Sequence, residues 1–390
     1  MNDVANGQKL GVMHLVDTLE VGGAERVAVT LVNHLDPSRY LAHLCSTRRE
    51  GPLAFAVDRS VRRLKLNRRW RFDVGPVFRL QRYIQRNQIS ILHAHGSTVF
   101  LARLIGMFPP YPAVIWHTHY GRFAVENRKA PAYAAASRGI QGVIVVNREL
   151  GAWCQDTLHV PAERVWYVPN PVAAWKPGKD VSLPGTQGSR IVCLANIRPE
   201  KDHLTLVRSM AQVAAAVPEA HLMLVGSVRE PELLAAVQSE IKRLNLTKNI
   251  SYLGSRQDAA DILDACDVGV LSSASEGLPM ALLEYGRAGL AVVATTVGEC
   301  EEVLGGGSVG MLVRPGSDEE LASALITLLQ NPHLRARLGA SFRQHVEDSF
   351  DATKIAASMD GIYQTALDAK RENQVSTKVD LGTQTKAGRS

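Results

Sequence analysis

Glu276 and Glu284, eight residues apart in SEGLPMALLEYG (275–286), flank a Gly-Leu-Pro turn and an apolar run. Pro279 suits the first turn of a helix, where its missing N–H costs nothing, and Gly277 lets the chain turn sharply before it. Glu276 then belongs to the loop entering the helix and Glu284 lies about a turn and a half along it, so the two carboxylates do not share one helix face. The unbonded N–H groups of residues 277–280, those of Gly277 and Leu278 among them, act with the helix dipole to favour an anion such as phosphate, with Glu276 beside it. By spacing alone the same pair also reads as a helix-start acid and a solvated helix residue. Arg198 and Lys201, in CLANIRPEKDHLTLV (193–207), bring two cations to a strand-to-helix loop, where cations meet ligand phosphates. Alone, that spacing is also common for surface charge.

In the first half of the chain, Gly22 and Gly23 of EVGGAERV follow a strand-length block. A bare Gly-Gly is a frequent strand-to-helix turn, and this one is no Gly-x-Gly-x-x-Gly dinucleotide fingerprint. HAHG (93–96) and HTHYG (117–121) set His93, His95, His117 and His119 at the carboxyl ends of two strand candidates. Four histidines raise the question of a metal. None is expected, on the ground that strand residues are divided between two faces and that no carboxylate or cysteine stands at ligand spacing.

The elements that must position these residues alternate. KLGVMHLVDTL (9–19) is a strand candidate, and AERVAVTLVNHL (24–35) puts Ala24, Val27, Ala28, Leu31, Val32 and Leu35 on one helix face. YLAHLCST, ISILHAHG, AVIWHTHYG, GVIVVN and RVWYVPN continue the series as mostly apolar blocks, as expected of strands covered on both faces. Residues 173–188 break the rhythm with Pro, Gly and Lys and read as a linker. A second series follows: RIVCLANI, HLMLVGS, ISYLGS, VGVLSS, AVVATT and GMLVRP, separated by helical patterns.

The expected fold is therefore α/β, with two Rossmann-like domains. They span 1–172 and 189–350, their parallel sheets facing across a cleft. A last helix over 351–370 packs back on the first domain, and the polar residues 371–390 form a disordered tail.

Length supports two domains: 390 residues exceed one average core. The amino terminus shows no basic stretch followed by an apolar block, so no secretory signal is read, and no apolar run is long enough to span a bilayer. Five scattered cysteines with no Cys-x-x-Cys pair suggest neither a disulfide framework nor zinc, which fits a cytoplasmic location.

Charge is uneven. Residues 1–172 hold 22 Lys+Arg against 12 Asp+Glu, and the remainder 22 against 26. The densest stretch carries Arg62, Arg63, Lys65, Arg68, Arg69, Arg71, Arg79, Arg82 and Arg86 against a single acid, Asp73. It reads either as a solvated surface or as a peripheral contact with anionic lipid headgroups or an anionic acceptor. Few aromatics interleave with it and no reader motif is present, so nucleic acid is not an expected partner.

Taken in order, ANIRPEK, LVGS, YLGS and SEGLPMALLE over about 189–345 resemble the retaining GT-B nucleotide-sugar glycosyltransferases of the Glu-x7-Glu type, those grouped as glycosyl transferases group 1 and family 4. EVGGAERV and HTHYG add to the likeness in the first half. The resemblance implies that the second domain binds a nucleotide-sugar donor and the first a saccharide or lipid-linked acceptor. Arg198, Lys201 and the amides of Gly277 and Leu278 would neutralise the departing diphosphate. Glu284 would hold the ribose, Glu276 would face the transferred sugar, Gly22 and Gly23 would let backbone approach the donor, and His119 would position sugar and acceptor. No Asp-x-Asp pair occurs in the chain, so metal independence is expected.

Two departures stand out. Ala291 occupies a position where relatives usually carry proline, and Glu299 follows Gly298 where a second glycine is common; Glu302 matches the family's acid there. The resemblance implies a hexosyltransferase of cell-surface polysaccharide biosynthesis. A sugar-nucleotide epimerase of the same fold and a binding protein without catalysis are the alternatives.

Overall fold

The computed structural model describes residues 9–70, 73–119, 130–173, 178 and 180–387, with the backbone alone over 373–387. The chain divides into two compact units, Met1–Pro171 with Ala352–Ser390, and Val172–Asp351.

The first unit is built on seven parallel strands: β1 (Leu10–Thr18), β2 (Tyr40–Arg49), β3 (Arg62–Lys65), β4 (Ile89–His95), β5 (Ala113–Thr118), β6 (Gly142–Val145) and β7 (Val165–Tyr167). Their order across the sheet is β3-β2-β1-β4-β5-β6-β7. Strands inside the sheet are buried along their length, as both faces are covered: every residue of β5 and β6 is buried. Helix α1 (Gly23–His34) buries Val27, Ala28, Val29, Leu31 and Val32 on the face its spacing marks.

β3 was not expected from the sequence. In RRLK only Leu64 is apolar, so the stretch reads as basic surface; at a sheet edge the exposed Arg62, Arg63 and Lys65 are tolerated, and charge there discourages pairing with another chain. Helices α2 (Val74–Arg86) and α3 (Val99–Ile105) follow β3 and β4.

The second unit repeats the plan with β8 (Arg190–Leu194), β9 (His221–Val225), β10 (Ile250–Gly254), β11 (Val268–Leu271), β12 (Ala291–Thr295) and β13 (Met311–Val313), in the order β10-β9-β8-β11-β12-β13. Its core joins Ile191, Leu206, Val207, Leu222, Leu224, Val268, Val270, Val293 and Leu325, all buried. Each such side chain contributes about 1.5–3 kcal/mol by leaving water.

Residues 173–188, read from the sequence as a linker, fall within the second unit. The Gly178 N–H donates to Asp261 Oδ1 at 2.7 Å, and the Gly188 and Arg190 N–H groups donate to Asp267 Oδ2 at 2.8 and 2.9 Å. Carboxylates too distant in sequence to enter a local reading hold this strip down. Residues 174–177 and 179 lie outside the described residues.

The C-terminal helix, Ala352–Ala387, belongs to the first unit. Ile355, Ala356, Met359, Tyr363 and Ala366 are buried on one side of it, and Asp360 pairs with Arg39 and accepts a hydrogen bond from the Tyr40 hydroxyl at 2.7 Å. The helix also runs beyond 370 into the stretch expected as a disordered tail. No proline interrupts it, and Arg, Glu, Gln and Lys are good helix formers, so polarity alone did not signal its end. Among the described residues no helix is long and apolar enough to cross a membrane.

Candidate active site

In an open parallel sheet, ligands bind at the carboxyl ends of the strands where the strand order reverses. In the second unit that point lies between β8 and β11, and the loops leaving these strands carry the residues singled out above. After β8, Arg198 starts a single 3-10 turn, Pro199–Lys201. Asp202 follows with φ +43°, a left-handed position that Asp tolerates, and its side chain caps the helix His203–Ala216 by accepting from the Thr205 N–H at 3.2 Å. This reversal brings Lys201 to the β11 loop. The Ser272 hydroxyl donates to the Lys201 carbonyl at 3.0 Å, and the N–H groups of Ala274 and Ser275 donate to the Glu200 carbonyl at 2.9 and 3.4 Å.

Tied together in this way, the loops put Lys201 Nζ 2.5 Å from Glu276 Oε1. The Ser273 hydroxyl donates to the same oxygen at 2.6 Å. The Glu276 side chain is 8% exposed and that of Lys201 22%, so the pair is largely withdrawn from water and its charge-assisted bond is strong. Arg198, 41% exposed, lies 3.5 Å from Glu200.

A third loop closes on the same place. Gly298, after β12, has φ +52°, and a Cβ there would meet the carbonyl oxygens of Glu276 and Gly277 at 2.4 and 2.5 Å. Only glycine satisfies both the conformation and the approach. The Glu299 N–H donates to the Gly277 carbonyl at 2.9 Å and Thr295 Oγ1 donates to the Ser273 carbonyl at 2.7 Å. Glu299, which departs from the family pattern, is thus a buried neighbour of the Glu276 loop.

The helix Met280–Ala288 carries Glu284. Its first helical residue is Met280; Pro279, expected inside the first turn, stands just outside in an extended conformation (φ −74°, ψ 117°). Leu278 is buried. The Tyr285 hydroxyl accepts from the Leu194 N–H at 2.7 Å and donates to the Val270 carbonyl at 3.1 Å, which pins the helix to both strands at the switch point. Ser273, Thr295 and Tyr285 did not emerge from the sequence, since single hydroxyls in strands or helices carry no spacing signal.

In the first unit the corresponding reversal lies between β1 and β4. Gly22 caps α1 in an extended conformation and Gly23 is its first residue; the Glu25 carboxylate lies directly over Gly22. Asp17, near the end of β1, accepts from Thr47 Oγ1 at 2.7 Å and from the Ser97 hydroxyl, with Arg48 at 3.6 Å and Arg68 at 3.9 Å.

The histidines are arranged differently from the expectation. Residues i and i+2 of a strand share a face. His93 and His95 of β4 therefore line up with His117 of β5, with His119 just beyond it, and with His14 of β1; His14 is opposite His93 in the register, and His95 is opposite His117. Two triples, His14/His93/His95 and His95/His117/His119, hold candidate ligand atoms within 4.8 Å. Within the triples the rings are inclined to one another by between 3° and 32°, and neither triple contains a carboxylate.

Neighbouring nitrogens instead stand at hydrogen-bond distance. Burial pushes His14 down to about 3 and His93, His95 and His117 well below the usual range. It takes His119 to about 3 as well, against a smaller opposing effect of Asn170. Tyr120 and Gly121 of the HTHYG stretch lie outside the described residues.

Two Rossmann-like units, one carrying a buried carboxylate–ammonium pair at its switch point, define the class: a GT-B enzyme fold. The crystal structure of Anabaena HepE in complex with UDP and glucose superimposes with a TM-score of 0.77, covering 91% of this chain and 100% of that one at 18% identity. The Glycosyltransferase Family 4 model matches residues 21–174 and the Glycosyl transferases group 1 model residues 188–331, between them most of the sequence. The chain belongs to this glycosyltransferase family.

Among curated relatives, the GDP-mannose-dependent monoacylated alpha-(1-6)-phosphatidylinositol monomannoside mannosyltransferase of Corynebacterium glutamicum is 32% identical over 166 residues, 40% of this chain and 42% of that protein. The chain thus aligns with less than half of that relative's length. The UDP-Gal:alpha-D-GlcNAc-diphosphoundecaprenol alpha-1,3-galactosyltransferase of Escherichia coli is 22% identical over 91% of this chain and 97% of its own.

Proposed function

We propose that this glycosyltransferase is a retaining, metal-independent hexosyltransferase that moves a sugar from a nucleotide-sugar to a saccharide or lipid-linked acceptor in cell-surface polysaccharide biosynthesis. The observation that carries the reading is the Lys201–Glu276 pair, 2.5 Å apart at the β8/β11 switch point. Lys201 and Arg198 supply positive charge for the diphosphate, and the amides of Gly277 and Leu278 extend it. That is the task a divalent ion performs elsewhere, and in this reading two cations with the amides of the loop before the helix take it over. Glu284 holds the ribose hydroxyls. Glu276, paired with Lys201, faces the sugar, where it stabilises positive character at the anomeric carbon.

In a retaining reaction the new bond forms on the face the diphosphate leaves. The leaving phosphate oxygen takes the acceptor proton, and His119 acts as a positioner. Relatives that act on phosphatidylinositol mannoside and diphosphoundecaprenol support a lipid-linked acceptor.

Thermal shift tests the donor. One of the UDP-, GDP- or ADP-sugars is expected to stabilise the protein by about 2.7 kcal/mol at a hundredfold excess over Kd, with EDTA present, and Lys201→Met to remove the shift. No stabilisation by any nucleotide-sugar, or stabilisation that needs a divalent ion, defeats this reading.

We infer also that the protein works in the cytoplasm, at the inner face of the membrane. On the outer side of α2, Val74 and Phe78 are 64% and 73% exposed, beside the exposed Arg79, Arg82 and Arg86. Phe100 and Leu104 of α3 and Met107, Phe108 and Tyr111 of the adjoining turn are also exposed. Apolar groups rimmed by arginine suit an anionic interface. Arg68, expected to join them, has a side chain only 15% exposed and lies near Asp17; Arg71 is outside the described residues.

In flotation with phosphatidylglycerol vesicles at low salt the protein is expected to rise with the lipid. Phe78→Ser combined with Arg79→Gln and Arg82→Gln should weaken binding at least tenfold, at about 1 kcal/mol per lost arginine. Absence of flotation, or an unaffected variant, refutes the membrane contact.

A further inference from the structure

One unbranched path of polar contacts runs through the covered face of the first sheet. His119 Nε2 is 2.9 Å from His95 Nδ1, and His95 Nε2 is 3.0 Å from His14 Nδ1. His14 Nε2 is 3.2 Å from the Tyr363 hydroxyl, which is 2.9 Å from His93 Nδ1, and His93 Nε2 is 3.1 Å from His117 Nδ1. The two ends, His119 Nδ1 and His117 Nε2, are buried and carry no hydrogen bond of ordinary geometry among the described residues; the polar side chain beside His119 is that of Asn170.

Each contact requires one proton, neither none nor two. A neutral imidazole has one N–H and one bare nitrogen, and the hydroxyl has one proton to give. Because every junction joins an Nε2 to an Nδ1, directly or through the Tyr363 hydroxyl, two proton arrangements satisfy them all and also use the hydroxyl proton, five Nε2–H rings or five Nδ1–H rings; a third, in which the Tyr363 oxygen accepts from both His14 and His93, leaves its own proton unmet. A single ring of opposite tautomer sets two N–H groups, or two lone pairs, face to face in a buried site, at a cost of about 1–3 kcal/mol for each unmet group. The path therefore couples the tautomers of residues spread from β1 to the C-terminal helix.

We propose that Tyr363 and the histidine path lock all five rings as Nε2–H, so that His119 keeps a bare Nδ1 and meets its ligand as a hydrogen-bond acceptor for a sugar or acceptor hydroxyl. The Nε2–H form is the one an isolated histidine side chain favours, and the path transmits that preference to His119. His14, His93, His95, His117 and Tyr363 are positioning residues in this scheme, since they act through His119. The ligand half of the inference rests on the transferase reading; the tautomer half rests on the contacts alone.

Nitrogen-15 NMR of the histidine-labelled full chain at pH 7.5, assigned by single His→Gln variants, separates the two halves. The five rings are expected to be uniformly Nε2–H in the wild type. Tyr363→Phe, which removes one hydroxyl and keeps the ring, should give mixed tautomers in at least one of the severed halves, His119/His95/His14 and His93/His117. Mixed or protonated rings in the wild type, rings shifted by one equivalent of zinc, or unchanged tautomers in Tyr363→Phe overturn the lock. Saturating donor and acceptor should move the His119 Nδ1 resonance; if transfer occurs while that resonance stays still, the ligand half is overturned. These spectra need no turnover, so a failure of the transferase reading leaves the lock testable by itself.

Discussion

Glu276→Ala is expected to slow sugar transfer about 1,000-fold while donor affinity stays within a few-fold of wild type. Groups aimed at charge that develops only in the transition state contribute about 100- to 1,000-fold in rate, and in the proposed mechanism Glu276 faces the carbon where that charge appears. On the same proposal it adds little in the ground state, because Lys201, Arg198 and the amides of Gly277 and Leu278 hold the phosphates. Truncation also strands Lys201, whose side chain is 22% exposed and whose ammonium would lose its 2.5 Å partner. Breaking a buried pair from one side costs about 3–5 kcal/mol, and the partial exposure of this lysine lowers the figure. Glu276→Gln, which keeps the shape and the Ser273 contact, controls for lost fold.

The check is product formation at saturating donor, with donor binding by calorimetry on the same preparations. A rate within tenfold of wild type in both variants removes Glu276 from the chemistry. Loss of binding together with rate assigns it to the ground state instead.

Acid is expected to unfold the first unit selectively. Its five coupled imidazoles stay neutral in the folded chain, His14 and His119 with values near 3 and the other three well below their usual range. Unfolded histidines titrate at about 6.5. Below that pH the unfolded chain takes up protons that the folded chain refuses, so the stability these groups lend is complete above about 6.5 and is lost as pH falls from there toward 3.

Each ring withdraws up to about 1.4 kcal/mol per pH unit in that window. Several rings acting together reach the size of a whole domain's stability, about 5–15 kcal/mol, within one or two pH units. Four of the five tryptophans, Trp70, Trp116, Trp153 and Trp166, precede residue 171 and Trp175 follows it, so in a Trp175→Phe background tryptophan emission follows the first unit. Urea midpoints read by emission should fall steeply between pH 7 and 5, and His14→Gln should reduce that slope by one proton. Midpoints flat across this range contradict neutral burial of the cluster.

Local pattern carried much of the architecture. Apolar blocks bounded by turns marked twelve of the thirteen strands; β3 escaped because an edge strand needs no apolar run, and RRLK has none. The loop composition that singled out Arg198, Lys201, Gly277 and Glu276 is likewise a matter of neighbours in sequence: glycine before proline, cations after a strand. Periodicity misled at the histidines, where i and i+2 were assigned to separate faces, although a period of two puts them on one.

What the sequence by itself determined is which residues end each strand and open each helix, since these depend on backbone preferences over a few positions. Only the tertiary structure decided who meets whom. Lys201 reaches Glu276 because strand order puts β8 beside β11, 75 residues later in the chain. Gly298 must be glycine because a third loop presses on the carbonyls of Glu276 and Gly277. Tyr363 closes the histidine path from 349 residues beyond His14, on a helix that returns to the first unit after the second is complete. Such contacts are set by the order of strands and the packing of distant helices, and no spacing within a short window encodes either.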